Sequence, residues 1–172
     1  MGKDKIMATE DNLKEAFAGE SQANRRYLAF AKKADADGLS MVAKLFRAAA
    51  AAETVHAHAH LRALGGIRTT TENLKEAAAG ENFEYQQMYP KFVGEATAEN
   101  AKAALVSFQN AMAVEQIHHS LYLDASKAVE AGSDMNSAKI FVCPVCGNTV
   151  LDEAPDKCPI CGAAKENFSE IE

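Results

Sequence analysis

The sequence predicts a mainly α-helical chain, a four-helix bundle at residues 1–136 followed by a small module at residues 137–172 built around four cysteines. Three observations carry that prediction. The segment NLKEAFAGE at Asn12 to Glu20 returns as NLKEAAAGE at Asn73 to Glu81, with eight of nine residues identical. A Glu-x-x-His pair occurs twice, at Glu53 and His56 and at Glu115 and His118, each time beside apolar residues at helical spacing. All four cysteines lie beyond residue 140 in two CxxC segments. The first two observations make the chain two copies of one helical hairpin, and the third sets the tail apart.

Helix A is expected over residues 9–34, opened by Thr9 or Asp11 as cap, with Leu13, Phe17, Glu20, Tyr27 and Phe30 near one stripe. Asp37 and Gly38 end it, and Ser40 is placed to cap helix B, which makes a tight antiparallel hairpin. Helix B runs to about Leu64, where Gly65 and Gly66 stop it. Its centre, AAAAAETVHAHAH, is rich in the strongest helix former, and Glu53 and His56 stand three residues apart, so both project from one face. Val42, Leu45, Phe46, Ala49 and Ala52 share that stripe, so this face is expected to be buried. Helix C carries the second copy of the repeat, and Pro90 within it removes a backbone donor and is expected to bend the helix just after Tyr89. Helix D is expected from about Glu99 to Glu130, before a polar linker at Gly132 to Asp134.

With 172 residues and 48% apolar residues, the chain has enough material for a packed core. A net charge of -6 argues against a nucleic-acid partner. No apolar run reaches the length of a membrane span, and Met1 to Ala8 lacks the long apolar segment of a secretory signal, so a soluble, cytoplasmic protein is expected.

A buried lone charge is costly, so carboxylates and imidazoles pointed into a core are either paired or hold a metal. Each hairpin copy offers one Glu from its first helix and a Glu-x-x-His pair from its second. Together these are Glu20, Glu53 and His56, and Glu81, Glu115 and His118. Four glutamates and two histidines around a bundle axis form the ligand set of a carboxylate-bridged pair of iron or manganese ions. Glu84, one turn after Glu81, corresponds to Ala23 in the first copy, so a seventh candidate ligand exists on one side alone. His58 is expected on the solvated face, and His60 and His119 are read as surface or supporting residues, since neither has a counterpart in the other half. In the tail, CPVCG and CPICG place Cys143, Cys146, Cys158 and Cys161 as two knuckles eleven residues apart, the spacing of a tetrahedral four-cysteine site. Iron and zinc both suit that site, and so small a tail depends on its metal to fold.

The segments AGES with Tyr27 downstream, AETVH, AGENFEYQQMYP and VEQIH, followed by the two knuckles, resemble the rubrerythrin family over residues 9–172. That resemblance implies a ferritin-like di-iron bundle and a rubredoxin-like tail holding one iron. It makes Glu20, Glu53, His56, Glu81, Glu84, Glu115 and His118 the di-iron ligands, with one iron exchanging Glu84 for His56 on reduction. It also favours hydrogen bonds from Tyr27 and Tyr89 to ligand carboxylates, and with Phe141 before the first knuckle it shifts the tail towards a redox-active iron centre. The implied activity is reduction of hydrogen peroxide to water by electrons passed through the tail. These would come from an external rubredoxin or NAD(P)H-dependent reductase, since no nucleotide motif is present in this chain. A ferroxidase or iron-handling role and a zinc-stabilised structural module are the competing readings.

One length bears on assembly. Helix B, at roughly 25 residues of about 1.5 Å each, spans ~37 Å, whereas the chain from Leu64 to Thr71 reaches at most roughly 25 Å. If helices B and C run in the same direction, the link is too short, and a homodimer with swapped helical hairpins is expected.

Overall fold

The computed structural model describes residues 3–172, with side chains from Ala8 onward. The reading of the first eight residues as lacking a secretory segment falls largely outside the described side chains. Among the described residues no helix is long and apolar enough to cross a membrane. The chain divides into two compact units, Met1–Arg68 and Thr69–Glu172.

The first unit is a hairpin of α1 (Lys3–Ala36) and α2 (Ser40–Ala63). Its seam is made of alanine: Ala31, Ala34, Ala43, Ala50 and Ala57 are all buried. Side chains this small let two helix backbones approach closely. Asn24 pins the seam by donating from Nδ2 to the Ala50 carbonyl at 2.7 Å and to Thr54 Oγ1 at 2.9 Å. Gly38 turns the chain at φ +77°, a conformation glycine adopts without strain. Helix α1 begins at Lys3, before the expected cap; nothing between Lys3 and Thr9 breaks a helix, so Thr9 and Asp11 lie inside it. Leu39, not Ser40, occupies the cap position of α2, because the turn is closed by the Leu39 N–H donating to the Ala34 carbonyl at 2.8 Å.

The stripe expected to be buried along α2 is covered only in part. Phe46, Ala49 and Glu53 are half-buried, but Val42 is 42% and Leu45 69% exposed, and Ala52 is open too. Two helices can cover only one face of each other, and the alanine seam uses that face.

The second unit repeats the hairpin with additions. Helix α3 (Thr70–Phe83) opens with a capping box in which Thr69 and Glu72 satisfy each other's backbone N–H groups. A π-helical turn, Glu84–Met88, then leads into α4 (Tyr89–Ala98), and α5 (Lys102–Glu130) returns alongside. The departure from α geometry thus lies in the turn before Pro90, not after Tyr89: the Tyr89 N–H reaches back five residues to the Glu84 carbonyl. Pro90 sits in the first turn of α4, where a missing donor is tolerated. Asn100 (φ 56°) takes the turn position that Gly38 holds in the first hairpin, so α5 starts at Lys102, later than expected.

The tail adds a three-stranded antiparallel sheet in the order β2-β1-β3, from β1 (Ile140–Val142), β2 (Thr149–Leu151) and β3 (Ser169–Glu170). Strand β1 leads directly into the first cysteine knuckle and β2 leads directly out of it.

Candidate metal centres

Each hairpin gathers its own three donors. In the first, His56 Nδ1 lies 2.9 Å from Glu53 Oε2 and 3.9 Å from Glu20 Oε1. In the second, His118 Nδ1 lies 2.8 Å from Glu115 Oε2 and 4.0 Å from Glu81 Oε1. One donor atom from each residue of a trio lies within 4.8 Å of the others. Two carboxylates and one imidazole at this spacing suit a hard or borderline cation such as ferrous or ferric iron.

Each hairpin also carries its own aromatic cluster. Tyr27, Phe30 and Phe46 form a ring cluster with centroids 5.6 to 6.4 Å apart. Tyr89, Phe92 and Phe108 form its counterpart at 5.5 to 6.3 Å. The aromatic trios are sixty-two residues apart in sequence, whereas Glu20 and Glu81 are sixty-one apart, so helix C holds one extra residue between Glu81 and Tyr89. The π-helical turn lies in that interval and absorbs the residue, which keeps both Glu81 and Tyr89 in place. Glu84 opens the turn. Among the described residues, the hydrogen bonds expected from Tyr27 and Tyr89 to carboxylates are not formed within either unit; both rings are held by their aromatic neighbours.

Electrostatics distinguish the second trio. Burial and the nearby Glu115 carboxylate push the Glu81 carboxyl up to about 7, against a smaller opposite pull from His118. Burial and Glu115 likewise raise Glu84. Tyr89 is raised by burial and then by the Glu84, Glu115 and Glu81 carboxylates, which places its hydroxyl in their field. Three carboxylates crowded into one partly dry cleft favour a cation or protons among them.

The four cysteines are free thiols, drawn together as expected. Cys143 Sγ is 3.6 Å from Cys161 Sγ, and Cys146 Sγ is 3.5 Å from Cys158 Sγ. A tetrahedral site with metal–sulfur bonds of about 2.3 Å has sulfur–sulfur edges near ~3.8 Å, far from the ~2.05 Å of a disulfide. The knuckles fit a metal. Although burial pushes the Cys158 thiol up, the Cys161 and Ile160 N–H groups pull it down to about 6, towards the thiolate a metal requires. Buried Asn148 directs Nδ2 at the same sulfur from 3.7 Å.

Two further residues make contacts between distant parts of the chain. His119, read from the sequence as a surface or supporting residue, lies on α5 with Nδ1 2.8 Å from the Ala78 carbonyl and its ring against Tyr85. Ala78 is the single mismatch in the nine-residue repeat, standing where the first copy has Phe17, so the imidazole occupies room that a smaller residue leaves. Thr149 is the other: its Oγ1 lies 2.9 Å from His118 Nε2. No sequence signal links a tail threonine to a helix histidine 31 positions earlier.

Comparison with known proteins places the chain beside one family over both of its parts. The Rubrerythrin family model matches residues 11–126, and the model of the rubrerythrin rubredoxin-like domain matches residues 141–169. Rubrerythrin-2 of Clostridium acetobutylicum is 36% identical, over 93% of this chain and 95% of that protein. Nigerythrin of Nitratidesulfovibrio vulgaris is 34% identical, over 97% and 88%. A solved structure of partially reduced nigerythrin aligns with a TM-score of 0.57 at 33% identity, covering 95% of this chain and 86% of that one.

Proposed function

Because the chain belongs to the rubrerythrin family, a family of oxidoreductases that pairs a di-iron site with a rubredoxin-like domain, we propose that it is a non-haem peroxidase that reduces hydrogen peroxide to water. The observation that supports this most is the matched pair of Glu-Glu-His trios in one chain with a four-cysteine cluster. The ligands in this reading are Glu20, Glu53, His56, Glu81, Glu84, Glu115 and His118 for two irons, and Cys143, Cys146, Cys158 and Cys161 for one more.

When bound, the iron pair supplies two electrons and Lewis acidity to peroxide. The chain's own residues manage protons and position. Breaking the O–O bond with two electrons takes two protons and yields two waters. Glu84, whose carboxyl is held above its ordinary range by burial and by Glu115, is the group of this cluster suited to pass a proton to the oxygens. Tyr89, in the field of the same carboxylates, keeps its hydroxyl proton and can donate a hydrogen bond to them. The tail takes single electrons from a rubredoxin or an NAD(P)H-dependent reductase in the cytoplasm and passes them inward.

The assembly in this reading is a homodimer in which α1 and α2 of one chain complete a bundle with α3 to α5 of its partner. Two features support it. The link between Ala63 and Thr70 is six residues, whereas α2 has 24. The α2 face that carries Met41, Leu45 and Val55 is more than 60% exposed at each of them, an apolar surface that calls for a cover.

Substitution of Glu84 by Ala tests the chemistry. Metal stays in the bundle and peroxide turnover falls by about 10²-fold or more; an unchanged rate with full metal loading would remove Glu84 from the mechanism.

A further inference from the structure

The hydroxyl of Thr149 has two neighbours, and together they fix the direction of every proton between them. It donates to the Gly147 carbonyl at 3.1 Å. Its single proton is therefore used, and the 2.9 Å contact with His118 Nε2 is made by a ring N–H donating to the Thr149 oxygen. His118 is then held as the form protonated at Nε2, with Nδ1 turned to Glu115 Oε2 at 2.8 Å and Glu81 Oε1 at 4.0 Å. Nδ1 is the atom that faces the donor cage.

We propose that Thr149 is a positioning residue for the bundle metal site, a threonine of the tail that fixes the tautomer and ring orientation of His118 and so delivers Nδ1 as a ligand. A second-sphere acceptor on the far nitrogen is the ordinary means of orienting a histidine ligand. Here the acceptor comes from the other module. Thr149 opens β2 directly after the first knuckle, and Gly147 follows Cys146, so two hydrogen bonds and a short covalent stretch join a cysteine ligand to the imidazole. A cavity of about 250 Å³ adjoins the contact, with Leu121, Ala125, Ile140 and Leu151 in its lining; apolar walls strengthen a hydrogen bond beside them. The first hairpin has no such device. His56 is 55% exposed against 27% for His118, and among the described residues its Nε2 makes no hydrogen bond.

The inference deepens the peroxidase reading, because an electron leaving the tail would travel this route, but its test requires no turnover. The full chain, loaded with zinc as a diamagnetic probe and labelled with ¹⁵N at histidine, is examined by nuclear magnetic resonance in three forms: unaltered, Thr149→Val and Thr149→Ser. Valine suits a β-strand and keeps the shape, so the tail still folds around its zinc. The unaltered chain and Thr149→Ser should show a slowly exchanging Nε2–H on His118, and Thr149→Val should exchange that proton about tenfold faster or more. Equal exchange in all three forms, or a His118 proton on Nδ1 with the metal on Nε2, would overturn the proposal while leaving the peroxidase reading intact. Failure of peroxide turnover with slow exchange preserved would do the reverse.

Discussion

At the scale of single residues, Glu81 keeps its proton up to about pH 7, because burial and the Glu115 carboxylate both disfavour its charge. In the unfolded chain the same group titrates near its ordinary value of 4.5. Between those two values the folded state binds more protons than the unfolded one, so the Glu81 contribution to stability is lost as pH rises through that window. Metal-free protein, followed by urea unfolding, should therefore be more stable near pH 5 than near pH 7.5, and iron should abolish the difference by replacing the proton. Metal-free stability that rises over the same interval would contradict a proton shared among these carboxylates. The donors themselves were legible in the sequence, since a trio repeated in one frame is hard to obtain by chance. Thr149 was not, because it acts through a contact between elements distant in the chain.

At the scale of elements, helix C shows how one residue can be added without disturbing the structure on either side. The repeat offset changes from sixty-one to sixty-two within it, and the wide turn at Glu84–Met88 takes up the difference. Deleting Gln86 should convert this stretch to continuous α-helix with the seven-residue spacing that Glu20 and Tyr27 have in the first hairpin, so that Glu81 and the Tyr89–Phe92 pair stay in place. Iron uptake by the bundle and the melting temperature should then be retained; loss of both, as expected if α4 turned by about 100° against α3, would show that the turn does not absorb an extra residue. Glu84 opposite Ala23 was visible in the sequence as an asymmetry between the two copies. The wide turn was not, because Pro90 suggested a bend after Tyr89, whereas the missing donor is accommodated at the start of α4. Helix ends were misplaced by a few residues for a similar reason: the turn at Gly38 and Leu39 is closed by backbone hydrogen bonds, which side-chain capping signals do not reveal.

At the scale of the whole molecule, each hairpin holds three donors, and the first leaves Met41, Leu45 and Val55 of α2 exposed within its own unit. The α2 stripe read as core in the sequence is covered only in part, because polarity marks an apolar face but does not say what packs on it. A swapped dimer predicts complementation. Chains carrying Glu53→Ala and His56→Ala, refolded with chains carrying Glu115→Ala and His118→Ala, should recover about a quarter of the unaltered activity, because half the dimers are mixed and one of their two sites is intact. Sites built within one chain would give none.

The measurement that bears most directly on the function is anaerobic reduction of the iron-loaded protein followed by rapid mixing with hydrogen peroxide, with iron and zinc counted and visible absorption followed in time. A peroxidase fed through its tail should consume two electrons per peroxide and show fast return of the colour of the oxidised four-cysteine iron centre. A colourless, zinc-filled tail, or reoxidation by peroxide no faster than by oxygen, would contradict that function.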